Sequence, residues 1–206
     1  MICLLFYGSF LSAHVIYFLC IQLKFFLHKA GGKMTDNILI IGLMGVGKTT
    51  VARGIAKELD MDFFDTDTEL EEVTGLKLKD IYRKYGEIRF RSEEALVMNK
   101  LRKKQNCVIS VGTSLAMTEA TKELLPQIGS VVWLDGSSDS VKERLKRKYN
   151  KVLLPKGVNL KNFDDFAAEL MKDFAETADY TVNVDGLDLD GVVRKIVGAA
   201  PSIRST

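Results

Sequence analysis

Beyond its first 33 residues, the chain alternates solid apolar runs with segments whose apolar positions return every three or four residues. Residues 37–42 (NILIIG) have no polar gap after the asparagine, the pattern of a strand covered on both faces in a parallel sheet. From Gly47 to Leu59 the apolar residues fall at Val51, Ile55, Ala56 and Leu59, which is a helical period. Further strand-like runs occupy 107–111, 130–134 and 180–184, with a shorter one at Phe63 and Phe64. Helical periods recur near 77–84, 87–103, 117–125, 137–148, 161–177 and 188–199. Such alternation predicts βαβ units, hence an α/β fold in three layers, with a central parallel sheet of about five strands between helices. One long connection, 149–160 (YNKVLLPKGVNL), holds a proline and a glycine between two helices and reads as a mobile lid.

The first 33 residues follow another pattern. Roughly 22 apolar-dominated positions run up to Lys24, Lys29 and Lys33, long enough for a membrane anchor. No charged stretch precedes this run and no small-residue cleavage site follows it, so a cleaved signal is not indicated. Met34 opens a more ordinary sequence, MTDNILIIG. Two readings stand: residues 1–33 come from a misplaced start and the protein is cytoplasmic, or they anchor it to a membrane. In both, residues 34–206 form one domain by length, and a monomer is expected.

Composition changes the picture by what it lacks. Both histidines (His14, His28) and two of the three cysteines (Cys3, Cys20) lie in the N-terminal segment. The body therefore offers no imidazole for a Ser–His pair or a zinc site, and no disulfide framework. Cys107 and Trp133, each within an apolar run, are expected in the core. Residues 34–206 carry 26 of the 29 basic side chains against all 27 acidic ones. That near-neutral balance excludes a bulk electrostatic grip on nucleic acid.

Candidate chemistry begins where the first strand gives way to glycine. In GLMGVGKTT, Gly42, Gly47, Lys48 and Thr49 satisfy G-x-x-x-x-G-K-[ST], in the strand–turn–helix context that motif requires. Gly42, Gly45, Val46 and Gly47 can turn backbone N–H groups around a polyphosphate, and the helix that starts at Lys48, Thr49 and Thr50 adds its unpaired amides and positive dipole end. Lys48 suits the β and γ phosphates, and the Thr49 hydroxyl suits Mg²⁺. A tight turn with a surface lysine would not require the agreement of motif, order and period. The expected ligand is a purine nucleoside triphosphate with Mg²⁺, and the motif is silent on the second substrate.

Downstream, FFDTDTELEEVTG places Asp65 and Asp67 at the end of the second short strand. Two residues apart on a strand share a face, so both carboxylates are expected in the crevice above the sheet, where such folds bind ligands. One would hold magnesium through water and the other would take a hydrogen bond or proton from an attacking hydroxyl. The alternative is a pair of solvated loop acids.

With GLMGVGKTT, FFDTDTELEEVTG, IYRKYGEIRFRSEEA and VISVGTS in this order, the chain resembles the shikimate kinases, within the nucleoside monophosphate kinase-like group, over nearly all of 36–198. The D-T-D block followed by G-E-x-x-F-R-x-x-E is the specific part. The resemblance implies transfer of a phosphoryl group from ATP, with Mg²⁺, to a hydroxyl of shikimate, in the route to chorismate and the aromatic amino acids. It makes Asp65 the water-mediated magnesium partner and Asp67 the carboxylate that binds and activates the acceptor. Arg91 becomes the partner of the acceptor's carboxylate, which a planar guanidinium can take by two parallel hydrogen bonds, and Glu94 the acid that holds Arg91. The alternative for Arg91 is an ion pair on the helix surface with Glu87 or Glu94. Arg144 stands where the family stacks an arginine on adenine, or else decorates a solvated helix face.

The chain departs from the family pattern in three places. Its Gly-Gly-Gly after the third strand, which approaches the acceptor, reads Gly112-Thr113-Ser114 here, so a β-carbon at 113 narrows the pocket or sits in a backbone that suits glycine. In the lid, Arg-Pro-Leu-Leu reads Lys151-Val152-Leu153-Leu154, which keeps the charge that can offset a moving phosphoryl group. Gapless counting from Leu154 puts Leu170 where a second carboxylate-binding arginine belongs. A buried carboxylate missing one such partner loses on the order of 2 to 5 kcal/mol. Three functions remain in view: a shikimate kinase, a kinase of another small hydroxylated acid or sugar, and a catalytically idle nucleotide-binding protein.

Overall fold

The computed structural model describes residues 37–113, 118–148, 154 and 157–204. Within them five strands alternate with seven helices: β1 (Ile38–Gly42), α1 (Lys48–Leu59), β2 (Asp62–Asp65), α2 (Thr66–Thr74), α3 (Leu78–Leu101), β3 (Cys107–Ser110), α4 (Glu119–Ile128), β4 (Ser130–Asp135), α5 (Ser138–Lys148), α6 (Phe163–Thr177), β5 (Tyr180–Asn183) and α7 (Leu189–Arg204). All strand pairs are parallel, in the order β2-β3-β1-β4-β5.

The solid apolar runs are the central strands. Every residue of β1 and β3 is buried, because helices cover both faces of the sheet. The edge strands β2 and β5 are partly exposed and carry polar residues to match. Asn37 fastens the N-terminal edge of the sheet: its Nδ2 donates to the carbonyls of Lys104 and Ile128, and its Oδ1 accepts from the amide of Cys107 at 3.1 Å. Cys107 is buried, and burial pushes its thiol up to about 11, in keeping with a small core hydrophobe. Trp133 also lies in the core, tilted against Phe174.

The periods at 77–84 and 87–103 are two helical segments that meet at Gly86, whose φ of 74° and ψ of 180° leave the helical region, so α3 is kinked there. One expectation needs correction: Asp67 is not on a strand. The strand ends at Asp65, whose carboxylate caps a new helix by accepting from the amides of Asp67 and Thr68, so Asp67 falls in the first turn of α2. This helix buries little beyond Thr66 and Leu70, so it shows almost no apolar period.

Most of the 149–160 lid, with Lys151, lies outside the described residues, as do Ser114 and the whole segment 1–33. Among the described residues no helix is long and apolar enough to cross a membrane.

Candidate functional site

The strand order reverses between β1 and its neighbour β3: the connection leaving β1 runs to β2 on one side, and the connection leaving β3 runs back past β1 to β4 on the other. Ligands of open α/β sheets bind outside the carboxyl ends of the strands at such a switch point. The segments that follow β1, β2 and β3 all converge there.

After β1, the loop of Gly42 to Gly47 wraps on itself. Gly42, Gly45 and Gly47 have φ of 146°, 83° and 114°, values side chains rarely tolerate, and a β-carbon on Gly42 would lie 2.8 Å from the Leu134 carbonyl. The amide of Val46 donates to Leu43 O at 3.2 Å and closes the turn. Helix α1 then begins on Gly47, which has no side chain to cap it, and its first turn, including Thr49 and Thr50, carries no acid. Its positive end is left for an anion.

Lys48 folds back beneath this loop. Its ammonium donates to Gly42 O at 3.0 Å, Leu43 O at 3.1 Å and Thr113 Oγ1 at 2.8 Å. Burial lowers its pKa to about 8, against the pull of Asp67 and then Asp65, so it stays a cation at neutral pH.

Asp65 joins the loop to β2. While Oδ1 caps α2, Oδ2 accepts from the Thr49 hydroxyl at 2.7 Å. Two hard oxygen groups side by side at the helix start fit Mg²⁺, which keeps most of its waters and needs few protein ligands.

The acceptor side rests on Gly112. Its amide donates to Thr66 Oγ1 at 2.8 Å, and a β-carbon there would run into Asp67 Oδ1. Asp67 thus reaches the crevice from α2, although not by strand alternation. Burial first, and then the charge of Asp65, lift its carboxyl to about 6, while Lys48 opposes the shift and Glu94 and Glu71 add to it. The mutual influence of Asp67 and Lys48 puts the two sides in one field.

Arg91 on α3 bonds Glu94 at 3.0 Å and lies 3.5 Å from Glu87. Glu94 is 4% exposed and Arg91 39%, so a buried acid holds an arginine whose side chain reaches solvent. Both the ion-pair reading and the positioned-arginine reading describe this geometry.

The remaining candidates divide. The guanidinium of Arg144 donates to Val46 O at 2.6 Å, which lays it over the phosphate loop. Thr113 needs no glycine-like backbone, since among the described non-glycine residues only Asp60 and Asn106 have positive φ. Its β-carbon brings instead a hydroxyl to Lys48. Leu170 is buried in the core on the face of α6 that also presents Phe163, Ala167 and Phe174. Thr66, which fixes the Gly112 amide, escaped the sequence reading. Its signal was the Asp65 helix cap, which makes Thr66 the first residue of a helix.

A phosphate loop after the first strand of a parallel β2-β3-β1-β4-β5 sheet, facing acids after the second, defines a P-loop kinase. More narrowly, the chain belongs to the shikimate kinase family, whose model matches residues 44–200. It is 37% identical over 161 residues to the shikimate kinase of Pelotomaculum thermopropionicum, covering 78% of this chain and 93% of that one. Among solved structures, it is similar to the shikimate kinase of Acinetobacter baumannii in complex with shikimate, with a TM-score of 0.72 and 31% identity over 85% of this chain and 97% of that one. The Aquifex aeolicus shikimate kinase gives a TM-score of 0.70 at 30% identity, over 79% and 95% of the two chains. The chain is accordingly an ATP-dependent kinase.

Proposed function

We propose that the protein transfers the γ-phosphoryl group of ATP to a hydroxyl of shikimate, using residues 34–206 as its catalytic domain. The observation that carries this reading is that two adjacent residues bring the acceptor's acid and the donor's cation together: a β-carbon on Gly112 would run into Asp67, and Thr113 accepts a hydrogen bond from Lys48 at 2.8 Å.

In this reading the backbone amides of Gly45, Val46 and Gly47, with the first turn of α1, hold the β and γ phosphates, and Lys48 offsets the charge that moves with the phosphoryl group. Thr49 and Asp65 hold Mg²⁺, which neutralises phosphate charge when bound. Arg144 lies beside the loop and covers the nucleotide. Arg91, fixed by Glu94, takes the carboxylate of the acceptor, while Gly112 and Thr113 line the wall between acceptor and loop. Asp67 orients the attacking hydroxyl and accepts its proton. A carboxylate lifted to about 6 is still ionised at pH 7.5 and is a stronger base than an ordinary one. Lys151, in the lid, adds a cation when the lid closes and excludes water.

In this reading the protein acts as a monomer in the cytoplasm. The test is ADP release with and without shikimate, by the full chain and by one beginning at Met34. Shikimate-dependent release that Asp67→Asn abolishes is the expected result. ATP binding without acceptor-dependent release, or release driven by other hydroxy acids or sugars in preference to shikimate, would overturn it.

A further inference from the structure

Lys48 has three N–H protons, and all three are engaged within the protein. Two go to the backbone of the phosphate loop, at Gly42 O and Leu43 O, and the third and shortest goes to Thr113 Oγ1 at 2.8 Å. The Thr113 hydroxyl gives its own proton to Gly42 O at 3.0 Å, which turns its lone pairs toward the ammonium. Both side chains are buried. A phosphate oxygen that is to take a proton from Lys48 must therefore displace an existing partner.

The three partners are not equally easy to displace. The two carbonyls belong to the loop itself, and losing them means unwinding the backbone that surrounds the phosphates. The Thr113 bond joins two side chains, each able to turn about its own single bonds while the backbone stays in place. Once Lys48 has left, the Thr113 hydroxyl keeps its bond to Gly42 O, so no buried donor is stranded.

We propose that Thr113 is a positioning residue for Lys48: it holds the third proton of the ammonium while the loop is empty of nucleotide and yields it to a phosphate oxygen on binding. It acts against nucleotide affinity and not on the chemical step, because its bond to Lys48 is absent both in the nucleotide complex and in the transition state. A glycine, the residue that the family pattern has here, offers no acceptor, so this competition is a property of the present chain. The inference rests on the nucleotide-binding reading above.

Thr113→Val removes the acceptor while keeping the branched shape. In the full chain, titration with MgATP and with MgADP is expected to give dissociation constants roughly three- to tenfold tighter than wild type. The KM for ATP should fall by a similar factor. Adenosine, which has no phosphate, should bind as it does to wild type, and Thr113→Ser, which keeps the oxygen, should have wild-type affinity. A folded Thr113→Val with unchanged or weaker MgATP binding overturns the proposal. So does a serine variant that behaves like valine, or tightening that extends to adenosine. If the valine variant does not fold, Thr113→Ala decides on the same terms. A wild-type chain that binds no MgATP at all sinks the nucleotide reading itself, and with it this proposal.

Discussion

On the donor side, the phosphate loop keeps its shape through three glycines at positive φ, and Lys48 is tied to two of the loop's own carbonyls. On the acceptor side, Arg91 reaches in from α3 on a side chain that is 39% exposed, and Asp67 is a carboxylate whose charge its surroundings disfavour. Backbone builds the first half of the site and side chains build the second. A backbone cradle serves any polyphosphate and changes only if the loop refolds, whereas a side-chain pocket is redefined by single substitutions. Departures from the family pattern accordingly fall at positions 113, 114, 151, 152 and 170, outside the glycine loop.

The strongest way to break this comparison is to remove one charge from each half. Asp67→Ala is expected to lower turnover by about 10² to 10⁴ while nucleotide affinity stays near wild type. Lys48→Ala should weaken nucleotide binding as well, with turnover down by about 10² to 10³. ADP release and nucleotide titration, measured on both variants, separate the halves. If Asp67→Ala loses nucleotide binding as severely as Lys48→Ala, the two halves are one structural unit and the division fails.

A smaller effect sharpens the acceptor half. Arg91→Lys keeps the charge and loses the planar fork, so the KM for shikimate should rise by about ten- to a hundredfold with little change in the KM for ATP. Steady-state kinetics with each substrate varied in turn checks this. An unchanged KM for shikimate returns Arg91 to the role of a surface partner for Glu87 and Glu94.

The same contrast explains what the sequence made legible. The loop could be read residue by residue because its geometry is local: glycines for the turn, a strand before it, a helical period after it. All five strands were foreseen within a residue or two, since burial on both faces leaves solid apolar runs at 38–42 and 107–110. Helix α2 was not foreseen, because it owes its start to the Asp65 cap and buries too few residues to leave a period. Asp67 was therefore assigned to the crevice for a reason that does not hold, while its contact with Gly112 depends on how α2 sits beside β3. The Lys48–Thr113 bond spans 65 residues, and no local pattern announces it.

The smallest expected effect is thermodynamic, and it asks whether the acceptor half is held at a cost that the donor half avoids. Burial and Asp65 lift the Asp67 carboxyl from about 3.9 when unfolded to about 6 in the folded chain. The folded chain therefore binds this proton more tightly than the unfolded chain does. Protonation favours folding, so this contribution to stability is greatest below the unfolded value, declines as pH rises from about 4 to about 6, and is a full penalty above that. Asparagine carries no charge and removes the penalty. At pH 7.5, Asp67→Asn should be more stable than wild type by on the order of 1 to 2 kcal/mol, allowing for the water that reaches this half-buried group. Near pH 4 the two should match. Chemical denaturation at both pH values, on the chain free of nucleotide and magnesium, measures the difference. A gap of the same size at both pH values would mean that shape and not charge separates the variants, and an asparagine variant less stable at pH 7.5 would mean that Asp67 anchors the fold. Either result would leave the acceptor half as well satisfied by its own contacts as the loop that holds Lys48.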